Sequence, residues 1–171
     1  MKKIGLISDT HGYLDLKVFD YFSQCDEIWH AGDFGNILVS EQLQSFRPFR
    51  GVYGNIDGTE IRQTHPLDQQ FECEGLKVYI THIGGYPGTY FPEARKKIES
   101  FKPGLFICGH SHILKVMPDK KNNLLHMNPG AAGKHGFHKI RTLLRFEIQE
   151  GTIKNPEAIE LGLRGAIENL S

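Results

Sequence analysis

Lys3-Ile4-Gly5-Leu6-Ile7-Ser8-Asp9-Thr10-His11 opens the chain with an apolar, strand-like run that ends directly on a carboxylate and an imidazole. The same grammar recurs four times. Glu27 to Ala31 ends in Gly32-Asp33, Phe49 to Tyr53 ends in Gly54-Asn55, Leu76 to Thr81 runs into His82, and Leu105 to Cys108 leads into Gly109-His110-Ser111-His112. Between the first three runs lie segments of helical spacing. Leu14 to Cys25 carries apolar residues at 14, 16, 18, 19 and 22, and Ile37 to Phe46 is stopped before Pro48. A β-α-β-α-β opening predicts parallel strands joined by helical crossovers, which bring the strand ends to one edge of a sheet.

The second half changes character. Gln70 to Cys73 and Leu76 to Thr81 flank Glu74-Gly75 as a hairpin, and Tyr90 to Phe101 reads as a helix with Pro92 in its first turn. Lys115 to Met117 and Leu124 to Met127 flank a polar turn over 119–123. Thr142 to Gln149 and Thr152-Ile153 form a further hairpin around Gly151. One mixed sheet cannot easily hold so many strands. Two sheets packed face to face, with helices outside, bury all of them, in a single α/β domain over residues 1–171. From Leu161 onward, Leu161, Leu163, Ile167 and Leu170 are expected in a docked or frayed tail; a short packed helix or a partner contact are the alternatives.

The 171 residues suit one domain with a full-sized core. Lys+Arg and Asp+Glu are both 20, so no global charge directs the chain to nucleic acid or to an anionic membrane. No apolar run approaches the roughly 20 residues of a spanning helix, and the N-terminal run lacks a small-residue cleavage site, which argues against a signal peptide. Cys25, Cys73 and Cys108 are an odd, scattered set without a C-x-x-C pair. Reduced, buried cysteines in a cytoplasmic protein are expected, and Cys108, although two residues from His110, is read as core.

Asp9, His11, Asp33, Asn55, His82, His110 and His112 offer seven oxygen or imidazole donors and no thiolate. Such a set is enough for two metal ions sharing one carboxylate, and suits Mn, Fe, Co, Ni or Zn. Asp9 and His11 are two apart, so in extended backbone their side chains point the same way; His110 and His112 share that spacing. Two divalent ions against two carboxylates and a hydroxide leave a small positive charge, which suits a singly charged phosphodiester. The donor set points to a metal-dependent phosphoesterase.

From Lys3 to about Gln149 the sequence resembles the calcineurin-like metallophosphoesterases, and among them the small bacterial and archaeal phosphodiesterases without a cap. The resemblance rests on D-x-H at Asp9-Thr10-His11, G-D at Gly32-Asp33, G-N-x-D at Gly54 to Asp57, then His82, G-H-x-H at Gly109 to His112 and the turn Asn128-Pro129-Gly130. Each motif is weak alone; six in order are specific. The resemblance implies a four-layer α-β-β-α sandwich of two mixed sheets flanked by helices. It implies that Asp9, His11 and His112 hold one metal, that Asn55, His82 and His110 hold the other, and that Asp33 bridges. Manganese is the first expectation for both ions. A bridging hydroxide would attack the phosphorus of a small diester or nucleotide-like substrate, with Asp33, Asn55 and Asp57 as catalytic candidates. Many family members carry a histidine directly after the motif asparagine, thought to protonate the leaving group; here Ile56 stands there. Asp57 could substitute, or could bind a ligand histidine from behind, and the second role is preferred.

A phosphomonoesterase or nucleotide hydrolase on the same site, and a protein-binding scaffold like the retromer subunit of this fold, are the alternatives. All seven ligand positions are filled, which favours catalysis. A nuclease is disfavoured because the chain is short and carries no net charge. Relatives often form dimers or tetramers, so a homodimer or homotetramer is an open expectation.

Gly133 to Arg141 is dense in cationic and imidazole groups. Lys134, His135, His138 or Arg141 either hold a substrate phosphate or belong to a solvated loop. Tyr86, in the glycine-rich run after His82, is expected to pack rather than to touch substrate. His30 reads as a hydrogen-bonded core group, His126 as structural and His65, before Pro66, as surface.

Overall fold

The structure, a computed structural model, describes residues 1–165. In order along them come β1 (Lys2–Ile7), α1 (Lys17–Tyr21), β2 (Glu27–His30), α2 (Ile37–Phe46), β3 (Phe49–Gly51) and α3 (Thr59–Thr64). These are followed by β4 (Asp68–Cys73), β5 (Leu76–Thr81), α4 (Pro92–Phe101), β6 (Leu105–Ile107), β7 (Leu114–Asp119), β8 (Leu124–Pro129), β9 (Ile140–Gln149) and β10 (Thr152–Leu163).

The strands make two five-stranded mixed sheets, ordered β10-β9-β1-β2-β3 and β4-β5-β6-β8-β7. In the first, β1, β2 and β3 are parallel, with Ile4 opposite Glu27 and Ile28 opposite Phe49. In the second, β5, β6 and β8 are parallel, with Val78 opposite Leu105 and Leu105 opposite Leu125. β1 and β6 are the central strands, and each is followed by a pair of candidate donors of the form x-T/S-His: Asp9-Thr10-His11 and His110-Ser111-His112.

Side-chain alternation explains the four layers. Ile4 and Leu6 of β1 and Trp29 of β2 meet Val78, Ile80, Leu105, Ile107 and Met127 of the second sheet in a buried core. Ile7 and Ile28 face the other way and pack with Val18, Val39, Leu43 and Ile61 from α1, α2 and α3. On the far side Tyr79, Phe106 and Cys108 pack against Ala94 and Ile98 of α4. Each fully buried large apolar side chain contributes about 1.5–3 kcal/mol, so both faces of both sheets are held. No helix is long and apolar enough to cross a membrane among the described residues.

Several local expectations are corrected. The helix expected over Leu14 to Cys25 contracts to Lys17–Tyr21. The Asp15 carboxylate accepts the Lys17 N–H at 2.9 Å, which holds the chain in a turn before the helix, and Leu16 is left exposed. α3 has one buried residue, Ile61, and so no stripe to read. The segment expected as a tail from Leu161 is instead the end of a long β10: Leu161 is buried and Leu163 pairs with Ile140. Asn155-Pro156 looks like a strand breaker, but it sits in a bulge between the pairs Lys154–Glu147 and Glu157–Arg145. The remainder of that expectation, Ile167 and Leu170, lies outside the described residues.

Candidate metal centre

Five strand ends supply the candidate donors. Asp9 and His11 follow β1, Asp33 follows β2, Asn55 follows β3, His82 follows β5, and His110 and His112 follow β6. The loops are tied to each other through backbone: Asp9 N–H donates to Gly32 O at 2.9 Å, His11 N–H to Asp33 O at 3.1 Å, and Gly109 N–H to His82 O at 3.0 Å. The last of these stitches two ligand loops of the second sheet; the first two stitch two of the first.

The expected reason for side chains pointing together, extended backbone, is wrong. Asp9, His11, Asp33, His110 and His112 all have positive φ, from 45° to 70°. Each such non-glycine residue costs about 1–2 kcal/mol, and such strain collects at functional sites. Tight left-handed turns, not strands, aim these five donors. Two glycines make the approach passable. A Cβ on Gly32, at φ +103°, would stand 2.6 Å from His82 Nδ1, and a Cβ on Gly54 would fall on the Asp33 carboxylate.

Two clusters result. Asp9, His11 and His112 offer ligand atoms all within 4.8 Å of one another, and so do Asp33, His82 and His110. Asp9 Oδ1 lies 3.1 Å from His112 Nε2, and Asp33 Oδ2 lies 3.1 Å from His82 Nε2 and 3.5 Å from His11 Nε2. Asn55 Oδ1 joins the second cluster, 3.0 Å from His110 Nδ1. Asp33 therefore contacts histidines of both clusters.

Electrostatics and hydrogen bonding fit cations here. Asp9 Oδ1, His11 Nε2 and His82 Nε2 are buried and have no hydrogen-bond partner, which is costly for groups that water cannot reach. His82 Nδ1 lies 2.7 Å from Ala31 O, so it carries the proton and leaves Nε2 as a lone-pair donor. Burial opposes the charge on Asp9, but the adjacent His11 and His112 rings hold its carboxyl well below the usual range. Burial likewise opposes the charge on Asp33, and the adjacent His82 ring lowers its pKa. His82 is pushed down by burial but ends raised, through Asp33 and Asp9. Seven nitrogen and oxygen donors, two of them ionised carboxylates, fit two divalent ions.

The supporting shell was only partly foreseen. Asp57, buried, accepts N–H bonds from Phe34 at 3.2 Å, Gly35 at 3.0 Å and Gly54 at 2.8 Å. It touches no histidine of either cluster and does not face solvent. Where a general acid or a partner of a ligand histidine was expected, its carboxylate is seen to tie the Asp33 loop to the Asn55 loop. Asn128, noted only as part of a turn, donates Nδ2–H to Gly109 O at 3.0 Å and Ser111 Oγ at 3.1 Å, and so holds the loop between the two histidines. Ser8 Oγ donates to Asp9 Oδ2 at 2.6 Å. A polar residue at a buried strand end was the available signal for both.

His30 is buried as expected. It accepts the Gly32 N–H on Nδ1 at 3.0 Å, its Nε2 lies 3.0 Å from Thr10 Oγ1, and burial holds its pKa at about 3. His126 is buried on β8 and structural. His65 is a correction: it is buried, stacks on Phe34 at 4.9 Å between centroids and has Nε2 2.6 Å from Ser40 Oγ. Phe34 in turn stacks on His30 at 3.8 Å, so the ring His65 supplies backs the Asp33 loop. Tyr86 packs beside His126 and bonds Ser111 Oγ.

The basic segment divides. His135 stacks on the His11 ring at 5.0 Å and lines the mouth of the site with Ile56 and Phe137. His138 puts its ring edge against His112 at 5.1 Å and has Nε2 2.8 Å from Gly133 O. Lys134 Nζ lies 4.3 Å over the Tyr13 ring. Arg141 is a correction: buried on β9, it pairs with Asp15 at 2.8 Å and donates to Leu161 O and Leu163 O, so its guanidinium is committed to holding β10 and the turn before α1.

Residues 1–151 match the model of the calcineurin-like phosphoesterase superfamily domain. Over 135 residues the chain is 30% identical to a probable metallophosphoesterase of Methanothermobacter thermautotrophicus, covering 75% of this chain and 76% of the relative. A phosphodiesterase of Methanocaldococcus jannaschii is 27% identical over 144 residues, 75% of this chain and 82% of the relative. Among solved structures, a novel archaeal phosphodiesterase superposes with a TM-score of 0.75 at 24% identity, covering 93% of this chain and 99% of that one. Vps29 of Chaetomium thermophilum superposes with a TM-score of 0.73 at 16% identity, covering 95% and 100%. These structural likenesses speak to the fold alone. With the family model spanning most of its length and the strand-end donors gathered where that fold would gather them, this chain belongs to the calcineurin-like phosphoesterase superfamily.

Proposed function

We propose that the protein is a dinuclear metal-dependent phosphodiesterase. The observation that carries this is the pair of donor clusters meeting at Asp33. In this reading Asp9, His11 and His112 would hold one ion, Asn55, His82 and His110 would hold the other, and Asp33 would be available to both. Manganese is the proposed ion, with Fe, Zn, Co or Ni accepted by the same donors. When bound, the two ions supply Lewis-acid charge and a hydroxide nucleophile at neutral pH. The chain's own contribution is to hold its donors rigidly through the backbone ties and the Asp57 and Asn128 clamps. The exposed side chains at the mouth, Asn55, Ile56 and Phe137, meet the substrate.

Ile56 is about half exposed at that mouth and cannot give a proton to a leaving group. Diesters with acidic leaving groups should therefore react best. Ile56→His should raise turnover of an alkyl diester about tenfold or more, and that of an aryl diester by less. Equal gains on both would remove the argument that an acid is missing.

The direct test compares bis(p-nitrophenyl) phosphate with p-nitrophenyl phosphate on metal-stripped protein, with and without added Mn2+. Diester hydrolysis that appears with metal, vanishes with chelator and exceeds monoester hydrolysis is expected. No turnover of either ester would overturn the reading. Binding should also be visible in stability. Saturation to a hundred times Kd adds about 2.7 kcal/mol, or roughly 5–10 °C of Tm for a chain of this size. Metal must displace the proton favoured on His82, so the shift should be larger at pH 8 than at pH 6.

A further inference from the structure

A second cavity, of about 410 Å3, opens beside the metal centre. It lies between the Tyr53-to-Asn55 turn, α3, the start of β4, the end of β5 and α4. Asn55 and His82 form part of its wall, and Asn55 also lines the mouth over His110 and His112. The two openings share Asn55 as a lining residue, so the cavity adjoins the place where a phosphate at the metal centre would sit.

The lining chemistry is selective. Most of it is apolar, with Tyr79 and Ala94 buried and Leu67 and Phe91 about half exposed. The Arg62 guanidinium lies 4.7 Å over the Tyr53 ring, so one side presents an aromatic and cationic surface. Asp68 and Lys97 form an ion pair in the same lining, offering acceptor and donor at one place. Concave, largely apolar sites with a few convergent polar groups are the usual form of small-molecule sites, and their volumes start at about 300 Å3. Aromatic and guanidinium walls favour a flat π-system. An adjacent carboxylate and ammonium favour one whose edge carries both donors and acceptors, which a nucleobase has and a phenyl ring lacks.

We infer that this cavity holds the base of a nucleoside, so that the substrate class is a phosphodiester with one nucleoside arm. The inference rests on the phosphodiesterase reading for the position of the phosphate, but the cavity can be tested separately.

Two diesters sharing p-nitrophenol as leaving group separate the contributions: a nucleoside 5′-(p-nitrophenyl) phosphate and methyl p-nitrophenyl phosphate. With Mn2+-loaded protein, Phe91→Ala and Leu67→Ala should each raise KM for the nucleoside ester about tenfold with kcat little changed. KM for the methyl ester should stay where it was. Both side chains are half exposed, so these variants should fold. In metal-free protein, a nucleoside 5′-monophosphate should shift the backbone amide resonances of Leu67, Phe91 and Ala94. Equal KM changes for both esters, no change for either, or amide shifts confined to other parts of the chain would overturn the assignment. A phenyl ester accepted as well as the nucleoside ester would overturn the base in favour of any aromatic arm. If neither ester is hydrolysed while the nucleotide still shifts those amides, the phosphodiesterase reading fails and the cavity assignment stands. If both esters are hydrolysed alike by every variant, the reverse holds.

Discussion

Asp33→Asn should lower turnover of an aryl phosphodiester by at least about a thousandfold, equivalent to about 4 kcal/mol of transition-state stabilisation, with the fold retained. Asp33 Oδ2 faces His82 Nε2 at 3.1 Å and His11 Nε2 at 3.5 Å, one from each donor cluster. An amide in its place offers one neutral oxygen and an NH2 group that repels a cation, so the shared ligand is lost. The fold should survive for two reasons. Asp33 Oδ1 accepts the Ile56 N–H at 3.1 Å, and an amide oxygen can still do so. The favourable interaction with the His82 ring that keeps the Asp33 pKa low is lost, but release of the repulsion from Asp9 offsets part of it. Metal analysis, Tm and turnover on the same sample make the check. Unchanged turnover in metal-defined buffer, or two ions still tightly bound, would count against Asp33 as the shared ligand.

Asp57→Ala is expected to be the most destabilising single change near the site. It strands the N–H groups of Phe34, Gly35 and Gly54, all now within 3.2 Å of one carboxylate. An unsatisfied buried donor costs about 1–3 kcal/mol, and water can rescue part of the set, so a loss of about 3–5 kcal/mol is expected. That corresponds to roughly 6–20 °C in Tm. Activity should fall as well, because the loops carrying Asp33 and Asn55 are no longer fastened to each other. Asp57→Asn should lower Tm as well, since one of the two accepting oxygens becomes an NH2 group; a proton donor would in addition alter the pH-rate profile, whereas a positioning carboxylate would leave its shape unchanged. A pH profile beside the calorimetric scan therefore separates a positioning carboxylate from an acid.

Local signals were sufficient in some places. α2 has the predicted bounds, Ile37 to Phe46, because its start and stop are both written locally: the Asn36 side chain accepts the Val39 N–H, and Pro48 follows the end. The β4–β5 hairpin is likewise set by Glu74 and Gly75, both at positive φ. Long-range partners defeated the rest. Leu161 is expected in a tail, whereas pairing to β9 places it in a long strand in which a bulge absorbs Asn155 and Pro156. His65 looked exposed because its neighbours are polar, whereas Phe34 and Ser40, far back in the chain, bury it.

By itself the sequence determined which oxygen and nitrogen donors gather at one rim. Apolar runs of strand length, each closed by a small residue and an oxygen or nitrogen donor, require strand ends that converge on one rim, since parallel strands share their direction. It also determined the layering, because so many two-sided apolar strands can be covered only by a second sheet and by helices. The tertiary structure alone decided how the donors are aimed and what clamps them. Left-handed turns at Asp9, His11, Asp33, His110 and His112 are disfavoured locally and persist only because bonds from distant loops hold them. The Asp57 carboxylate gained its role from N–H groups that no local spacing relates to it, and a cavity beside Asn55 exists only where two sheets and two helices meet.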